Sequence, residues 1–459
     1  MSQGKISRRQ VLRQAIAGGL GFGILGNRDG APKEETALNS LIKGAPAKDQ
    51  SMIGVPFKRY ETVRLAVVGT GLRGRDTLRE FLNVPGVQVT ALCDIVQDKV
   101  LMAKAMVEKA GQKTPAIYFQ GDRAFEDLVK RDDVDFVYIA TPWEWHVPQA
   151  LAGMSAGKHV GVEVPAAYTL EDCWKLVNTS ERTRRHCMIM ENCCYDYDEL
   201  MVLNMVRAGV LGELVHGECA YNHDLRGILF ETRDEGLWRR RHHTLRDSNL
   251  YPTHGLGPLA NYMSINRGDK FDHLVAMSSG HWGLEAYRKE KVAADDPRQR
   301  EVYKCGDYNT AVIKTARGRT IMLQHNVSTP RPYDRINLLQ GTKGIFRDYP
   351  SRIFLDQHEG DHNWQTTEKF KDKYEHDFWR KSGETARRLG GHGGMDYIMC
   401  YRLIECMRNG LVPDMDVYDA AAWSAPGPLS EVSVARGSRP IKFPDFTRGR
   451  WQEERKSVP

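Results

Sequence analysis

Between Leu65 and Arg75 the chain reads LAVVGTGLRGR. An apolar run is followed by Gly69, Gly71 and Gly74 and then by an amphipathic stretch. A run of this kind suits a buried strand. Glycines spaced GxGxxG suit a tight turn into a helix whose first N–H groups face an anion. The same alternation continues downstream. VQVTALCD, DFVYIAT, HVGVEV and CMIMEN read as buried strands of about four to eight residues. Amphipathic segments separate them, among them RDTLREFLN, the run from Asp98 to Ala110, and LEDCWKLVNTSERT. Strands that alternate with helices predict a doubly wound parallel sheet, a Rossmann domain over residues 61–192.

Past Asn192 the pattern lengthens. LVHGECAYNHD, TAVIKTARGRTIMLQHNV and INLLQGTKGIFRDY read as antiparallel strands, the second turning at Ala316-Arg317-Gly318. A helical stretch from Met395 to Gly410 follows. Residues 193–459 are therefore expected to form an α+β domain with a large, mostly antiparallel open sheet covered on one face. The free face offers a surface for a homodimer. At 459 residues the chain is long enough for two such cores.

The N-terminus has a different character. Ser7-Arg8-Arg9-Gln10-Val11-Leu12-Arg13 fits the twin-arginine pattern, and a small-and-apolar stretch, Ala15 to Gly26, comes behind it. That stretch is too short and glycine-rich to span a membrane. Residues 1–30 read as a signal peptide for the twin-arginine export machinery, with an unstructured basic tail as the alternative. Residues 31–60 read as a linker or arm. Export by this route to the periplasm carries folded protein, so a cofactor can be loaded beforehand.

Other classes are disfavoured. The 65 basic and 59 acidic residues are spread along the chain, and no long basic tract alternates with aromatics, so no nucleic-acid partner is expected. Nine cysteines without a CxxC pair argue against a disulfide framework and against a metal.

Asp94 ends the strand that follows the glycine turn, where a carboxylate accepts hydrogen bonds from ribose hydroxyls and repels a 2′-phosphate. NAD is the expected cofactor; the alternative is a glycine turn with no ligand. Thr141-Pro142-Trp143-Glu144-Trp145-His146 follows DFVYIAT, at the edge of the dinucleotide crevice. Its tryptophans would shield a nicotinamide and His146 would bond a hydroxyl, unless the aromatics only pack between domains. His254 carries an imidazole, the side-chain type suited to proton transfer near neutral pH. Tyr195, with an ordinary pKa of about 10, needs a nearby positive charge to act as a base.

Gly161-Val162-Glu163-Val164-Pro165 resembles the glucose-fructose oxidoreductase and inositol dehydrogenase-like proteins, which commonly carry Glu-Lys-Pro there. Val164 replaces the proton-moving lysine. TPWEWH, EVPAAYTLEDCW, ENCCYD, GELVHGECAYNHDLR, LYPTHGLGPL, INRGD, RPYD, GHGGMDY and FPDFTRGRW narrow the resemblance to glycoside hydrolase family 109, from about Arg64 to Trp451.

The resemblance implies an NAD-dependent α-N-acetylgalactosaminidase. Leu72, Arg73, Asp94, Trp143, Glu144, Trp145, His146, Glu163, Val164 and Asn192 would line the NAD site, with Arg239 a further cofactor candidate. Tyr221, Arg226, Tyr333 and the segment Tyr251-Pro252-Thr253-His254 would contact the sugar. His254 and Tyr195 would be catalytic. It also implies oxidation at sugar carbon 3, elimination, water addition and reduction, with tightly bound NAD recycled each turnover. The substrate would be a glycan or glycoconjugate. The alternatives are an exported sugar or cyclitol dehydrogenase and a non-catalytic NAD-binding protein.

Overall fold

In a computed structural model of the chain, residues 31–44, 50–356 and 362–455 are described. The twin-arginine segment lies outside them. Ala31–Lys43 is a helix in its own right, within what composition reads as a linker. Pro32 stands in its first turn, where no intrahelical N–H is needed.

The strand–helix alternation builds a six-stranded sheet from β1 (Val63–Val68), β2 (Val87–Cys93), β3 (Ala116–Tyr118), β4 (Phe136–Ile139), β5 (His159–Val162) and β6 (Cys187–Ile189). Its order is β3-β2-β1-β4-β5-β6 and every neighbouring pair is parallel. β1, β4 and β5 are buried along nearly their whole length, as continuous apolar runs require of a sheet covered on both faces. β3 is the strand the sequence reading leaves out: Ala116-Ile117-Tyr118 is apolar but only three residues long, and all three are half-buried. The order reverses between β1 and β4, which opens a crevice at the carboxyl ends of the strands.

A second sheet of nine strands has the order β14-β13-β12-β11-β7-β10-β9-β8-β15. Its members are β7 (Leu214–Asn222), β8 (Phe271–Ser278), β9 (Asn309–Thr315), β10 (Thr320–Asn326), β11 (Leu338–Gly341), β12 (Gly344–Arg347), β13 (Arg352–Leu355), β14 (Gln365–Thr366) and β15 (Ile441–Lys442). The expectation of antiparallel strands holds at every pair but one. β7 and β10 run parallel at the centre. A hairpin cannot make such a pair, but the long chain between them, holding β8 and β9, can. Helices Thr253–Tyr262 and Pro426–Ala435 cover one face, packing on β7 and β8. On the other face Met277 and Val312 are exposed.

The C-terminal chain then returns to the first sheet. Helix Met395–Asn409 packs on helix Leu72–Leu82, and helix Val417–Ser424 packs on β6 and helix Leu170–Thr183. The described residues from 44 onward thus form one compact unit. The change of pattern at Asn192 marks no gap in space. All nine cysteines are free and buried. No described helix is long and apolar enough to cross a membrane.

Candidate functional site

The candidate residues collect at the carboxyl ends of the parallel strands. Gly69 leaves β1 with φ +90°, and a Cβ on Gly74 would stand 1.9 Å from the Gly69 carbonyl oxygen. Only glycine allows turn and helix to meet this closely. Gly71 differs: a Cβ there would meet no protein atom within 4 Å. It begins helix Leu72–Leu82 with no side-chain cap and no acid in the first turn, so that end is open to an anion. Asp94 steadies the turn by accepting the Thr70 N–H at 2.7 Å and the Val96 N–H at 2.9 Å. Open room at Gly71, an uncapped helix start and a carboxylate ending β2 fit a dinucleotide.

Arg73 lies one residue beyond Leu72, which is exposed. Its guanidinium pairs with Glu163 at 2.8 Å and Asp396 at 2.7 Å. Glu163, at the end of β5, also accepts the Tyr138 hydroxyl at 2.7 Å. Asp396 receives the Asn192 amide at 2.7 Å and meets His392 Nδ1 at 2.7 Å. Burial alone would raise the Asp396 carboxyl, but Arg73 and His392 hold it well below its ordinary value. Arg73, Glu163 and Asn192, predicted for the cofactor, are thereby interlocked. Val164 is buried and its aliphatic side chain moves no proton.

The TPWEWH residues divide. Trp143 is buried against Tyr251, at 5.8 Å between ring centroids, and against His242. Trp145 faces Phe125 instead, at 6.2 Å. Glu144 is exposed on the first helical turn. His146 corrects the expectation of a free hydroxyl partner: it is buried, with Nδ1 2.9 Å from the Pro165 carbonyl and Nε2 2.8 Å from that of Thr141. It fastens two backbone segments together.

Beside Trp143 lies a cluster of rings. Tyr221, near the end of β7, stands 4.5 Å from Tyr251, 5.4 Å from His254 and 6.1 Å from Tyr333. Arg239 lies over Tyr251 at 4.9 Å and over Trp143 at 5.3 Å, and pairs with Glu235 at 2.6 Å. The cation thus lies between Trp143, expected at the cofactor, and Tyr221 and Tyr251, expected at the sugar. Arg226, predicted there, is held by Asp224 at 2.8 Å and lies over Tyr287. Pro252 and Thr253 are buried at the start of the helix that carries His254. Burial, the largest influence on each, raises the phenols of Tyr221, Tyr251 and Tyr333, so near neutral pH they donate hydrogen bonds and do not accept protons.

Tyr195 is the clearest correction. It is fully buried, and its hydroxyl donates to Asp414 at 3.1 Å. Arg402 grips the same carboxylate at 2.9 Å. Burial, reinforced by the Asp414 charge, pushes the phenol well above its ordinary value. A phenolate would face an anion there, so Tyr195 is a structural donor.

Three residues escaped the sequence reading. Glu191, just beyond β6, has Oε1 at 2.7 Å from His254 Nδ1. Its signal was position: strand carboxyl ends also supply Gly69, Asp94 and Glu163. His223 Nδ1 is 3.1 Å from the Tyr221 hydroxyl, as the two-residue period of a strand allows. His392, exposed between glycines of the GHGG run, reaches the Arg73–Asp396 pair.

Comparison with known proteins agrees with this geometry. Residues 63–191 match the family model "Oxidoreductase family, NAD-binding Rossmann fold". Residues 195–453 match "Glycosyl hydrolase 109, C-terminal domain". A Solibacter usitatus protein named as a glycosyl hydrolase family 109 protein is 59% identical, over 98% of either chain. One from Saccharopolyspora erythraea is 50% identical, over 97% of this chain and 95% of its own. Among solved structures, a levoglucosan dehydrogenase in complex with NADH superposes with TM-score 0.64 at 15% identity, covering 83% of this chain and 99% of its own. An aldose-aldose oxidoreductase from Caulobacter crescentus gives TM-score 0.60 at 19% identity, covering 83% of this chain and 100% of its own. These two likenesses concern the fold alone. Identity over nearly the full length, with both family models in chain order, settles the relationship: the chain belongs to glycosyl hydrolase family 109, glycosidases built on an NAD-binding oxidoreductase fold.

Proposed function

We propose that this enzyme hydrolyses terminal α-N-acetylgalactosamine residues of glycans or glycoconjugates by a redox-assisted elimination. The observation that carries the reading is the state of the nearest acids. Glu163 and Glu191 both act electrostatically on Tyr251. Yet Glu163 is held by Arg73 and Tyr138, and Glu191 is fully buried against His254. Neither is free to flank a glycosidic bond, as the two-carboxylate mechanism requires. What the ring cluster presents is a set of neutral phenols, an imidazole and Arg239, itself tied up with its counter-ion Glu235 at 2.6 Å, beside a dinucleotide cradle.

Bound NAD would supply a reversible two-electron oxidant for the hydroxyl on sugar carbon 3. In the chain itself, Gly71 and the helix start would receive the pyrophosphate and Asp94 the ribose. The phenols of Tyr221, Tyr251 and Tyr333 would orient sugar oxygens, with Arg239 beside them. His254 would take the proton of the carbon-3 hydroxyl at Nε2 and later return it. With a ketone at carbon 3, the carbon-2 proton and the group on carbon 1 would leave together as the free alcohol. Water would add its hydroxyl to carbon 1 and its proton to carbon 2, and the carbon-3 ketone would be reduced back to the hydroxyl.

Such a cycle consumes no cofactor. That fits the twin-arginine segment at residues 7–14, because an enzyme loaded before export and holding NAD tightly needs no outside supply. The exposed sheet face bearing Met277 and Val312 supports a homodimer.

The test is to denature the purified protein and assay released nicotinamide, then to follow a chromogenic α-N-acetylgalactosaminide without added NAD. Hydrolysis in heavy water should place deuterium at carbon 2 of the released sugar with no net NADH. A dehydrogenase would instead accumulate NADH and a keto product. Protium alone at carbon 2, with no isotope effect from carbon-2-deuterated substrate, would refute the elimination.

A further inference from the structure

Glu191 and His254 come from different layers of the fold, and two glycines make their meeting possible. Helix Thr253–Tyr262 lies between β7 and the chain that leaves β6. A Cβ on Gly255 would come within 2.6 Å of the Ala220 backbone nitrogen. One on Gly257 would come within 2.9 Å of Glu191 Cγ. His254 is set on this helix, with Nδ1 2.7 Å from Glu191 Oε1. The same oxygen accepts the Cys193 N–H at 3.1 Å. Glu191 has no exposed surface, and its Oε2 has no hydrogen-bond partner. Burial alone would raise this carboxyl, but His254, together with Thr253 and the Cys193 N–H, keeps the group below its ordinary value.

We infer that Glu191 is the positioning carboxylate of His254, fixing the Nδ1–H tautomer so that the bare Nε2 faces the ring cluster as proton acceptor. An ionised carboxylate only accepts hydrogen bonds, so the proton between Oε1 and Nδ1 belongs to the imidazole. Nε2 is then left with its lone pair. When Nε2 gains a proton the ring becomes a cation, and a buried anion already in contact stabilises it without rearrangement. The inference deepens the glycosidase reading and rests on it for the substrate. The dyad itself is a property of the free protein.

Cys193 Sγ joins Glu191 and His254 in a group whose donor atoms lie within 4.8 Å of one another. A metal shared by all three would displace the proton between Oε1 and Nδ1. The same measurements separate the two arrangements.

The wild-type chain, labelled with 15N-histidine, is to be read by NMR at neutral pH, with the His254 signals identified by their loss in His254→Gln. An Nδ1-protonated, Nε2-bare ring is expected. A ring protonated at Nε2 only, or zinc recovered at one equivalent per chain, would overturn the dyad. Glu191→Gln keeps the shape and removes the charge. It is expected to lower kcat by about 10²–10⁴-fold while NAD content and KM stay at wild-type values. Glu191→Asp should restore part of the rate. Unchanged kcat in Glu191→Gln would refute the inference. If the wild-type chain cleaves no α-N-acetylgalactosaminide, the function proposal fails, and the wild-type tautomer still decides the dyad.

Discussion

Two single-methyl substitutions in the same turn should behave in opposite ways. Gly71→Ala adds a Cβ where no protein atom lies within 4 Å, and Gly71 has φ −68° and ψ −157°, an extended backbone that alanine tolerates. Folding should be unharmed, with stability unchanged or raised by about 0.4–1 kcal/mol because the unfolded chain loses freedom. The added methyl would occupy the approach to the helix start. If a pyrophosphate sits there, it loses close contact with the first backbone N–H groups. Losing one charge-assisted hydrogen bond at about 1.5–3 kcal/mol should weaken NAD by roughly ten- to 150-fold. Gly74→Ala instead forces a Cβ to 1.9 Å from the Gly69 carbonyl oxygen. The turn must open, so this variant should lose stability and cofactor together. Calorimetric titration of cofactor-stripped protein with NAD, with thermal melts of both variants, separates the cases. Wild-type NAD affinity in a folded Gly71→Ala variant would refute the placement of the pyrophosphate.

Tyr195→Phe removes the hydroxyl that donates to Asp414 but leaves the Arg402 contact in place. It should cost about 1.5–3 kcal/mol of stability, with kcat near the wild-type value, and a rate collapse without loss of stability would contradict the structural role. Glu80 is buried, and neither of its oxygens has a hydrogen-bond partner; burial, and then the Asp396 charge, raise its carboxyl from the ordinary 4.5 to about 7. Since the folded chain keeps this proton longer, its contribution is full below about 4.5 and is lost as pH rises through about 7. Glu80→Gln should remove that slope and add about 1–2 kcal/mol at pH 8, seen as a larger gain in Tm at pH 8 than at pH 5. Replacing Arg8 and Arg9 with Lys should leave active, NAD-loaded enzyme in the cytoplasm, and periplasmic activity in that variant would refute the export proposal.

The parallel sheet, its glycine turn and the carboxylate ending β2 were legible in the sequence because each is written locally. Apolar runs, turn residues and the span from Gly69 to Asp94 all fall within one strand–helix–strand unit. The family motifs were likewise contiguous, so membership needed no coordinates. β3 stayed hidden because Ala116-Ile117-Tyr118, though apolar, is shorter than the runs that mark a buried strand. What only the tertiary structure decided is which partner each polar group holds. Glu191 meets His254 across 63 residues, Tyr195 meets Asp414 across 219, and Arg73 meets Asp396 across 323. Arg239 likewise lies among the rings because its side chain reaches Tyr221 on β7, and nothing in the run of arginines tells it from its neighbours. A side chain's residue type fixes what chemistry it has available. Burial and the facing charge fix which protonation state and which hydrogen bond it uses, and both are set by chain that is distant in sequence.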